Sequence, residues 1–390
     1  MLILGVVLIS ATLRPPITSV GPLSVEIRAD TGLSAGALAL ITTIPLLAFA
    51  GFSPVAPRMG HRFGIELVIF ASSLVLLGGI LLRWLPGLVP LYVGTVAIGV
   101  AIAFGNVLVP ALVKRDFPRS QGQMTALYST ALSGAGGIGS GVAIPLAHDA
   151  GLGWEGALAV WAIPTAIALA VWVPRLRERH RLKPPPGPVS ALRDLWGSRV
   201  AWQVTLFMGM QSFGFYVCVA WLPAVLIEQG LSAAQAGGML SVAQLSGLVA
   251  TLSVPQLADR RSDQRVIVLG AAGAMLVGIG GLIAFGGAAP FVWVAMLGFA
   301  QGAGLALALM FFVLRAADHR AAAELSGMAQ TVGYLIAAGG PLLAGLVHDL
   351  TGKWEPILWL LLGAALLQLA FGLGAARDRI VGVSDKAASG

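Results

Sequence analysis

The sequence is short of charge, and its one cysteine leaves no second thiol. Only 11% of the 390 residues are charged, whereas a soluble globular protein carries roughly 25%. The lone Cys218 excludes an internal disulfide framework and a thiol-based metal cluster. Both shortages argue against a soluble domain and against a disulfide-stabilised secreted one.

Long apolar runs take the place of the missing charge. A helix needs about 20 apolar residues to cross a bilayer. Hydropathy predicts twelve such spans, at 2–25, 35–57, 65–84, 88–112, 123–147, 155–173, 202–227, 235–257, 266–286, 290–314, 325–347 and 356–374. The predicted fold class is an all-α membrane protein of about 12 transmembrane helices in two six-helix bundles.

The basic residues lie almost entirely on one side of these spans. Of the 24 Lys and Arg residues, 20 fall in loops on the side of the chain termini, three fall on the opposite side, and Arg14 lies within the first span. Cytoplasmic loops are enriched in Lys and Arg. The sequence therefore predicts an inner-membrane protein with both termini in the cytoplasm. On this interpretation the pI of about 10.2 reflects topology and not a nucleic-acid partner.

The two sets of six spans repeat one another. GLSA opens the second span at 32–35 and the eighth at 230–233, and HD precedes the sixth span at 148–149 and the twelfth at 348–349. An even number of spans gives both sets the same orientation, and parallel repeats of this kind hold substrate between them near the middle of the bilayer in known transporters. The predicted organisation is an N-terminal half (1–173), a basic and proline-rich cytoplasmic linker (174–200), a C-terminal half (201–374) and a cytoplasmic tail (375–390).

Arg14 is the most informative residue because it sits inside an apolar run without an acidic neighbour. A guanidinium in the middle of a bilayer is costly and must face a polar cavity or a partner. Pro15 and Pro16 lack N–H groups and must break the helix beside it. Thr18 follows one turn later on the same face. We expect Arg14 and Thr18 to bind a polar or anionic substrate; the alternative is a structural arginine bonded to the freed carbonyl groups.

Other polar residues lie inside other spans, and each can be either a substrate contact or a hydrogen bond between helices. The predicted further substrate contacts are Gln211, Tyr128, Gln301, Tyr334 and Asn106, and Gln244 and Gln330 belong to the same polar set. Trp221 is predicted either to wall the cavity or to lie at the membrane interface.

Carboxylates and histidines are missing from the middle of the spans. Because proton relays in pumps generally use such groups, facilitated diffusion or anion exchange is favoured over obligatory proton coupling. Residues 134–139 (GAGGIG) match a dinucleotide fingerprint only as a string, since they lie inside an apolar span. Ser133, Gly137 and Gly141 instead form a small-residue face for close helix contact. Neither a catalytic set nor a metal-ligand spacing stands out.

These features together resemble the major facilitator superfamily across the whole chain. The loop after the second span, residues 59–64 (MGHRFG), is similar to a superfamily motif, and residues 257–260 (LADR) form its second copy. The resemblance implies conformational gating at His61 and Arg62 and at Asp259 and Arg260. An aspartate is usual where His61 stands.

Within the superfamily, residues 14–22 (RPPITSVGP) resemble the first helix of the cyanate and 2-nitroimidazole transporter family. The resemblance implies transport of a small anion such as cyanate, or of a nitroimidazole-like compound, across a bacterial inner membrane by alternating access. The alternative is a drug or metabolite efflux transporter of the same fold in which Arg14 is structural. The expected partners are the solute and the bilayer, with no cofactor, no metal and no nucleic acid, and we expect a monomer that is not an enzyme.

Overall fold

The structure, a computed structural model, describes residues 2–117, 119–177, 192–258, 263–316 and 319–381. Within these ranges the chain forms helices, turns and loops, without a strand. Eleven helices in the described ranges are long and apolar enough to cross a membrane, and Leu2–Thr18 is a shorter apolar stretch. The predicted all-α membrane fold is confirmed. Asp259, Arg260 and most of the linker and tail lie outside the described residues.

The helices follow the predicted spans closely. In the N-terminal half they are α1 (Leu2–Thr12), α2 (Pro15–Thr18), α3 (Ser24–Thr31), α4 (Ala35–Phe52), α5 (Ala56–Phe63), α6 (Ile65–Arg83), α7 (Leu88–Asp116), α8 (Gln121–Ala147), α9 (Gly153–Ala159) and α10 (Ala162–Trp172). Helix α11 (Leu192–Gly197) lies within the predicted linker. The C-terminal half then contains α12 (Arg199–Glu228), α13 (Ala233–Ala258), α14 (Arg265–Phe285), α15 (Pro290–Leu314), α16 (His319–Thr351) and α17 (Pro356–Ala375). Since the spans alternate in direction, Leu2 and Ala375 lie at the same end of the bundle. We call it the terminus end, and the opposite one the far end.

The first span is broken at the two prolines. α1 ends at Thr12 and α2 begins at Pro15, so Arg14 stands between two helical segments. The Pro16 carbonyl oxygen accepts a hydrogen bond from Arg83 Nη1 at 2.8 Å. Charge counting places Arg83 among the outer loop residues, but its side chain is buried, with 3% exposure, at the end of α6. Arg83 therefore satisfies a carbonyl group that the short α2, which ends at Thr18, leaves without a helical donor.

Glycines of α8 bring that helix close to the broken segment. Thr18 Oγ1 donates to the Gly136 carbonyl oxygen at 2.8 Å, and Ser19 Oγ donates to the Gly139 carbonyl oxygen at 3.0 Å. A Cβ atom at Gly139 would stand 3.0 Å from both Pro15 Cα and Thr18 Oγ1. The contact with α8 thus holds the segment that carries Arg14 in place.

Another face of α8 contacts α13 of the C-terminal half. Ser241 Oγ donates to the Gly137 carbonyl oxygen at 2.7 Å. A Cβ atom at Gly141 would lie 2.6 Å from the same hydroxyl oxygen. The close helix contact predicted for the small-residue face is therefore confirmed, and it joins the two halves.

Asp349 ties the two halves together at the far end. Its Oδ1 accepts from the Ala35 N–H at 2.8 Å, and its Oδ2 accepts from the Gly36 N–H at 2.7 Å. These N–H groups belong to the first turn of α4, where helical donors are unpaired and the helix dipole is positive. Arg28 Nη1 lies 3.2 Å from His348 Nε2 beside them. We call this group of contacts the far-end tie.

We expect Gly139→Leu to lower both stability and transport, because the added side chain must displace α2. Overpacking of a filled interior costs about 1–3 kcal/mol. The measurement is the thermal unfolding midpoint of the purified protein, followed by solute uptake in liposomes. The matched control is Gly134→Leu on the same helix, where a Cβ atom meets nothing within 4 Å. Equal effects of the two substitutions would contradict the packing argument.

We expect Asp349→Asn to open the far end, because one amide oxygen cannot replace two carboxylate oxygens and their charge. The loss of a helix cap is worth about 1 kcal/mol, or roughly a fivefold change in the equilibrium between states. Electron-spin distance measurements between labels at the exposed Leu152 and Lys353 report that population. Asp30→Asn is the control, because Asp30 contacts Trp154 within the N-terminal half. A distance distribution unchanged from that of the wild type would rule the tie out as a determinant.

Candidate functional site

A cavity of about 450 Å³ lies between the two halves. It is bounded by side chains from α4, α7 and α8 on one side and from α12, α13, α15 and α16 on the other, with the broken first span between them. The structure brings seven of the predicted substrate contacts to its wall: Arg14, Thr18, Asn106, Tyr128, Gln211, Gln301 and Tyr334.

The cavity lies on the terminus side of the far-end tie. Beyond Arg14, its lining includes Pro110 near the end of α7 and Thr125 near the start of α8. It also includes Leu309 late in α15 and Gln330 early in α16. All four positions are toward the terminus end, so the empty space extends from the level of Arg14 in that direction.

Arg14 reaches across the cavity to the C-terminal half. Its Nη1 donates to Gln244 Oε1 at 3.3 Å, and the centre of its guanidinium lies 4.9 Å from the centre of the Phe215 ring. An ion pair to Arg14 is not found in the described part of the chain. The side chain is partly exposed, and its remaining N–H groups face the cavity without a protein acceptor among the described residues.

Arg14 is the one charged side chain among the described residues that line the cavity. Neither a carboxylate nor a histidine from the described ranges joins it. A cation without a counterion between low-dielectric protein walls attracts an anion more strongly than it would in bulk water, because the walls screen the charge less. The electrostatics of this site therefore favour a negatively charged or strongly polar occupant.

Aromatic side chains surround the cation. Tyr128, Tyr216 and Tyr334 line the same cavity as Arg14. Phe49 packs edge-on against Tyr334, with ring centres 5.4 Å apart. Flat walls of this kind accept a planar solute through offset or edge-to-face ring contacts.

Side-chain amides supply the remaining polar groups of the cavity. Gln211 Nε2 donates to the Gln301 carbonyl oxygen at 3.3 Å. The Nε2 atoms of Gln244 and Gln301 are both buried and lack a hydrogen-bond acceptor; the Gln301 amide lies beside the thiol of Cys218, which is a weak acceptor. Asn106 reaches the same space from α7. Two buried amide donors next to the cavity are therefore left without a strong acceptor in the protein.

Trp221 does not line the cavity, which corrects its prediction as a cavity wall. It is 1% exposed, and its Nε1 donates to the Pro341 carbonyl oxygen at 2.9 Å. Its ring packs against Trp354, with centres 4.7 Å apart, and Trp354 in turn stacks on His348. Pro341 lies within α16, so Trp221 joins α12 to α16 and has a structural role close to the far-end tie.

Two of the predicted gating residues are described, and they lie at the terminus end, outside the cavity lining. His61 and Arg62 lie in the last turn of α5, where the Arg62 guanidinium is 5.1 Å from the centre of the Phe63 ring. Asp259 and Arg260 are outside the described residues. The gating role of this loop pair stays a prediction.

Sequence reasoning underestimates Gln244 and misses Phe215 and Tyr216. From the sequence, Gln244 cannot be distinguished from the other amides in the middle of spans. Its contact with Arg14 joins residues 230 positions apart and is visible only in the folded chain. Phe215 and Tyr216 are two aromatic residues among many in apolar spans. Their helical distance from Gln211, about one turn along α12, is a signal that could have placed them on the cavity side.

The described residues contain no group of three or more His, Cys, Asp or Glu side chains that could hold a metal ion. The cavity itself offers one guanidinium, amides, hydroxyl groups and aromatic rings. Groups of these kinds are able to bind and orient a polar solute.

Comparison with known proteins identifies the family. Residues 4–341 match the Major Facilitator Superfamily. The chain is 42% identical to the 2-nitroimidazole transporter of Escherichia coli (strain K12), over 97% of this chain and 96% of that protein. It is 30% identical to the cyanate transport protein CynX of the same organism, over 90% of this chain and 91% of that protein.

A solved structure shows the same fold. The D-xylose-proton symporter superposes with a TM-score of 0.72 at 15% identity, covering 98% of this chain and 97% of that chain. With eleven membrane-length helices in the described ranges, the match of fold and family agrees with the resemblance seen in the first span. The chain therefore belongs to the Major Facilitator Superfamily and is a multi-pass membrane transporter, not an enzyme.

Proposed function

We propose that this transporter moves a small anion or a planar nitro compound across the bacterial inner membrane, with Arg14 at the centre of its binding site. One observation carries the proposal: among the described residues, Arg14 is the lone charged group in the cavity between the halves. Relatives that carry the names 2-nitroimidazole transporter and cyanate transport protein support the solute class.

The proposed site combines a cation with donors and flat walls. Arg14 and Thr18 stand on the broken first span, and Gln211, Gln301 and Asn106 add amide groups around the same cavity. Tyr128 and Tyr334 add aromatic faces. Cyanate presents a compact negative charge, and a nitroimidazole presents a polar nitro group on a planar ring; both suit such walls.

The proposed cycle is alternating access by rocking of two bundles, residues 1–173 and 201–374. The far-end tie joins the bundles on one side of Arg14, and the cavity extends on the other side toward the termini. If both termini are cytoplasmic, as the basic loops predict, this arrangement is the inward-facing state. The linker 174–200 and tail 375–390 would then lie in the cytoplasm, and a single chain holds a complete site, consistent with a monomer.

The alternative, an efflux transporter with a structural Arg14, has less support. It requires the Arg14 side chain to bond the carbonyl groups that the prolines free, yet among the described residues its hydrogen bond goes to the Gln244 side chain. Arg14 instead contacts Gln244 and Phe215 of the other half. The apolar part of the wall, from side chains such as Leu13 and Ile102, remains compatible with a larger apolar compound.

We expect Arg14→Ala to reduce uptake of cyanate and 2-nitroimidazole into protein-containing liposomes by about tenfold to a hundredfold, the value of hydrogen bonds to a charged group. Arg14→Lys should retain part of the activity, because it keeps the charge and loses the planar fork. Arg377→Ala, at the exposed terminus end, is the matched control. Normal uptake by both Arg14 variants, with unfolding midpoints like that of the wild type, would refute the assignment.

The same liposomes test the coupling mechanism when a pH gradient is imposed. The cavity lining lacks carboxylates and histidines in the described ranges, so we propose uniport or exchange. Uptake should then reach equilibrium without accumulation beyond it, after subtraction of leakage into protein-free liposomes. Accumulation driven by the gradient would show proton coupling and contradict this part of the proposal.

A further inference from the structure

Gln244 lines the cavity and contacts the Arg14 guanidinium directly. It belongs to α13 of the C-terminal half, and its side chain is 5% exposed. Arg14 Nη1 donates to its Oε1 at 3.3 Å. A guanidinium has donors and no acceptor, so the atom of the amide that faces Arg14 is the oxygen and the orientation of the amide is set.

The other atom of that amide is left without a partner. Gln244 Nε2 is buried and donates to no acceptor. An unmade hydrogen bond of a buried donor costs about 1–3 kcal/mol. Because Oε1 and Nε2 are bonded to the same carbon, this donor stands beside the Arg14 guanidinium. The pair therefore places two donors side by side next to the cavity, the charged one of Arg14 and the covered, neutral one of Gln244.

The surroundings hold the pair in place. The Phe215 ring lies against the guanidinium at 4.9 Å, and a Cβ atom at Gly136 would meet Arg14 Cβ at 3.2 Å. On the other side, a Cβ atom at Gly137 would lie 3.5 Å from Gln244 Cβ. Both side chains are thus flanked by α8, and their relative positions depend on the same helix.

We propose that Gln244 determines specificity, by acting with Arg14 as a two-point receptor for ligands that carry two acceptor atoms on one centre, such as a carboxylate or a nitro group. One acceptor atom binds the guanidinium and the other binds Gln244 Nε2. A linear anion such as cyanate, with its acceptor atoms at opposite ends, binds Arg14 without engaging Gln244 in this way. The inference rests on the proposed function and names the shape of ligand that the site prefers.

The test compares formate with cyanate, two small monovalent anions of different shape, by calorimetric binding to the purified full-length protein. Gln244→Leu should weaken formate binding roughly tenfold, the value of one hydrogen bond to a charged ligand, and change cyanate binding less than twofold. Gln256→Leu, an exposed position on the same helix, is the matched control and should change neither.

A second variant at the same position, with a polar side chain of similar size, separates a loss of binding from a loss of folding. Gln244→Glu places a carboxylate against Arg14, where it should pair with the guanidinium and reduce binding of both anions. Equal losses of formate and cyanate in Gln244→Leu, or no loss of either, would overturn the two-point receptor and leave the role of Arg14 intact. Failure of the wild-type protein to bind either anion would refute anion binding in the proposed function, and this inference with it.

Discussion

The structure depends on a broken helix inside an apolar bundle. Two prolines remove backbone donors beside a guanidinium, and neither feature is tolerated at the depth of a membrane unless protein or a polar cavity supplies partners. The cavity between the halves receives Arg14. Arg83 donates to the Pro16 carbonyl group, which the end of α2 at Thr18 leaves without a helical donor. The glycines of α8 make this arrangement possible, because helix and broken segment approach closely through the Gly136 and Gly139 carbonyl groups.

Arg83 and Arg14 therefore differ in what they contact: Arg83 bonds backbone, and Arg14 lines the cavity in which we propose that the solute binds. Arg83 is enclosed by its own half. Arg14 contacts the opposite half, through Gln244 and Phe215. Because Arg14 contacts both bundles, its contacts change when the bundles move relative to one another. In the proposed cycle, occupancy of the site and movement of the bundles are therefore linked. The far-end tie at Asp349 also joins the two bundles, at the end opposite to the one toward which the cavity extends, so the tie must open when the bundles rock in the proposed cycle.

Sequence reasoning finds most of this architecture and part of the site. Runs of apolar residues define the spans, since the length of a helix that crosses a bilayer leaves little freedom. The prolines predict the break at Arg14. The role of Arg83 escapes prediction, because an arginine at the end of an apolar run is indistinguishable from an interfacial one until its distance from Pro16 is known. Trp221 is the opposite case, a residue predicted to line the cavity that does not. Its indole instead packs away from the cavity and bonds the Pro341 carbonyl group. Gln244 and Asp349 act across more than 200 positions of sequence, and only the packing of the two halves brings their partners within reach.

In the proposed function, a solute anion binds the Arg14 guanidinium between the two halves. An experimental structure of the purified protein with bound cyanate or formate tests this binding most directly. The account predicts density for the anion within hydrogen-bond distance of Arg14, flanked by the Phe215 ring. Density elsewhere in the cavity, with Arg14 bonded to protein groups alone, would contradict it.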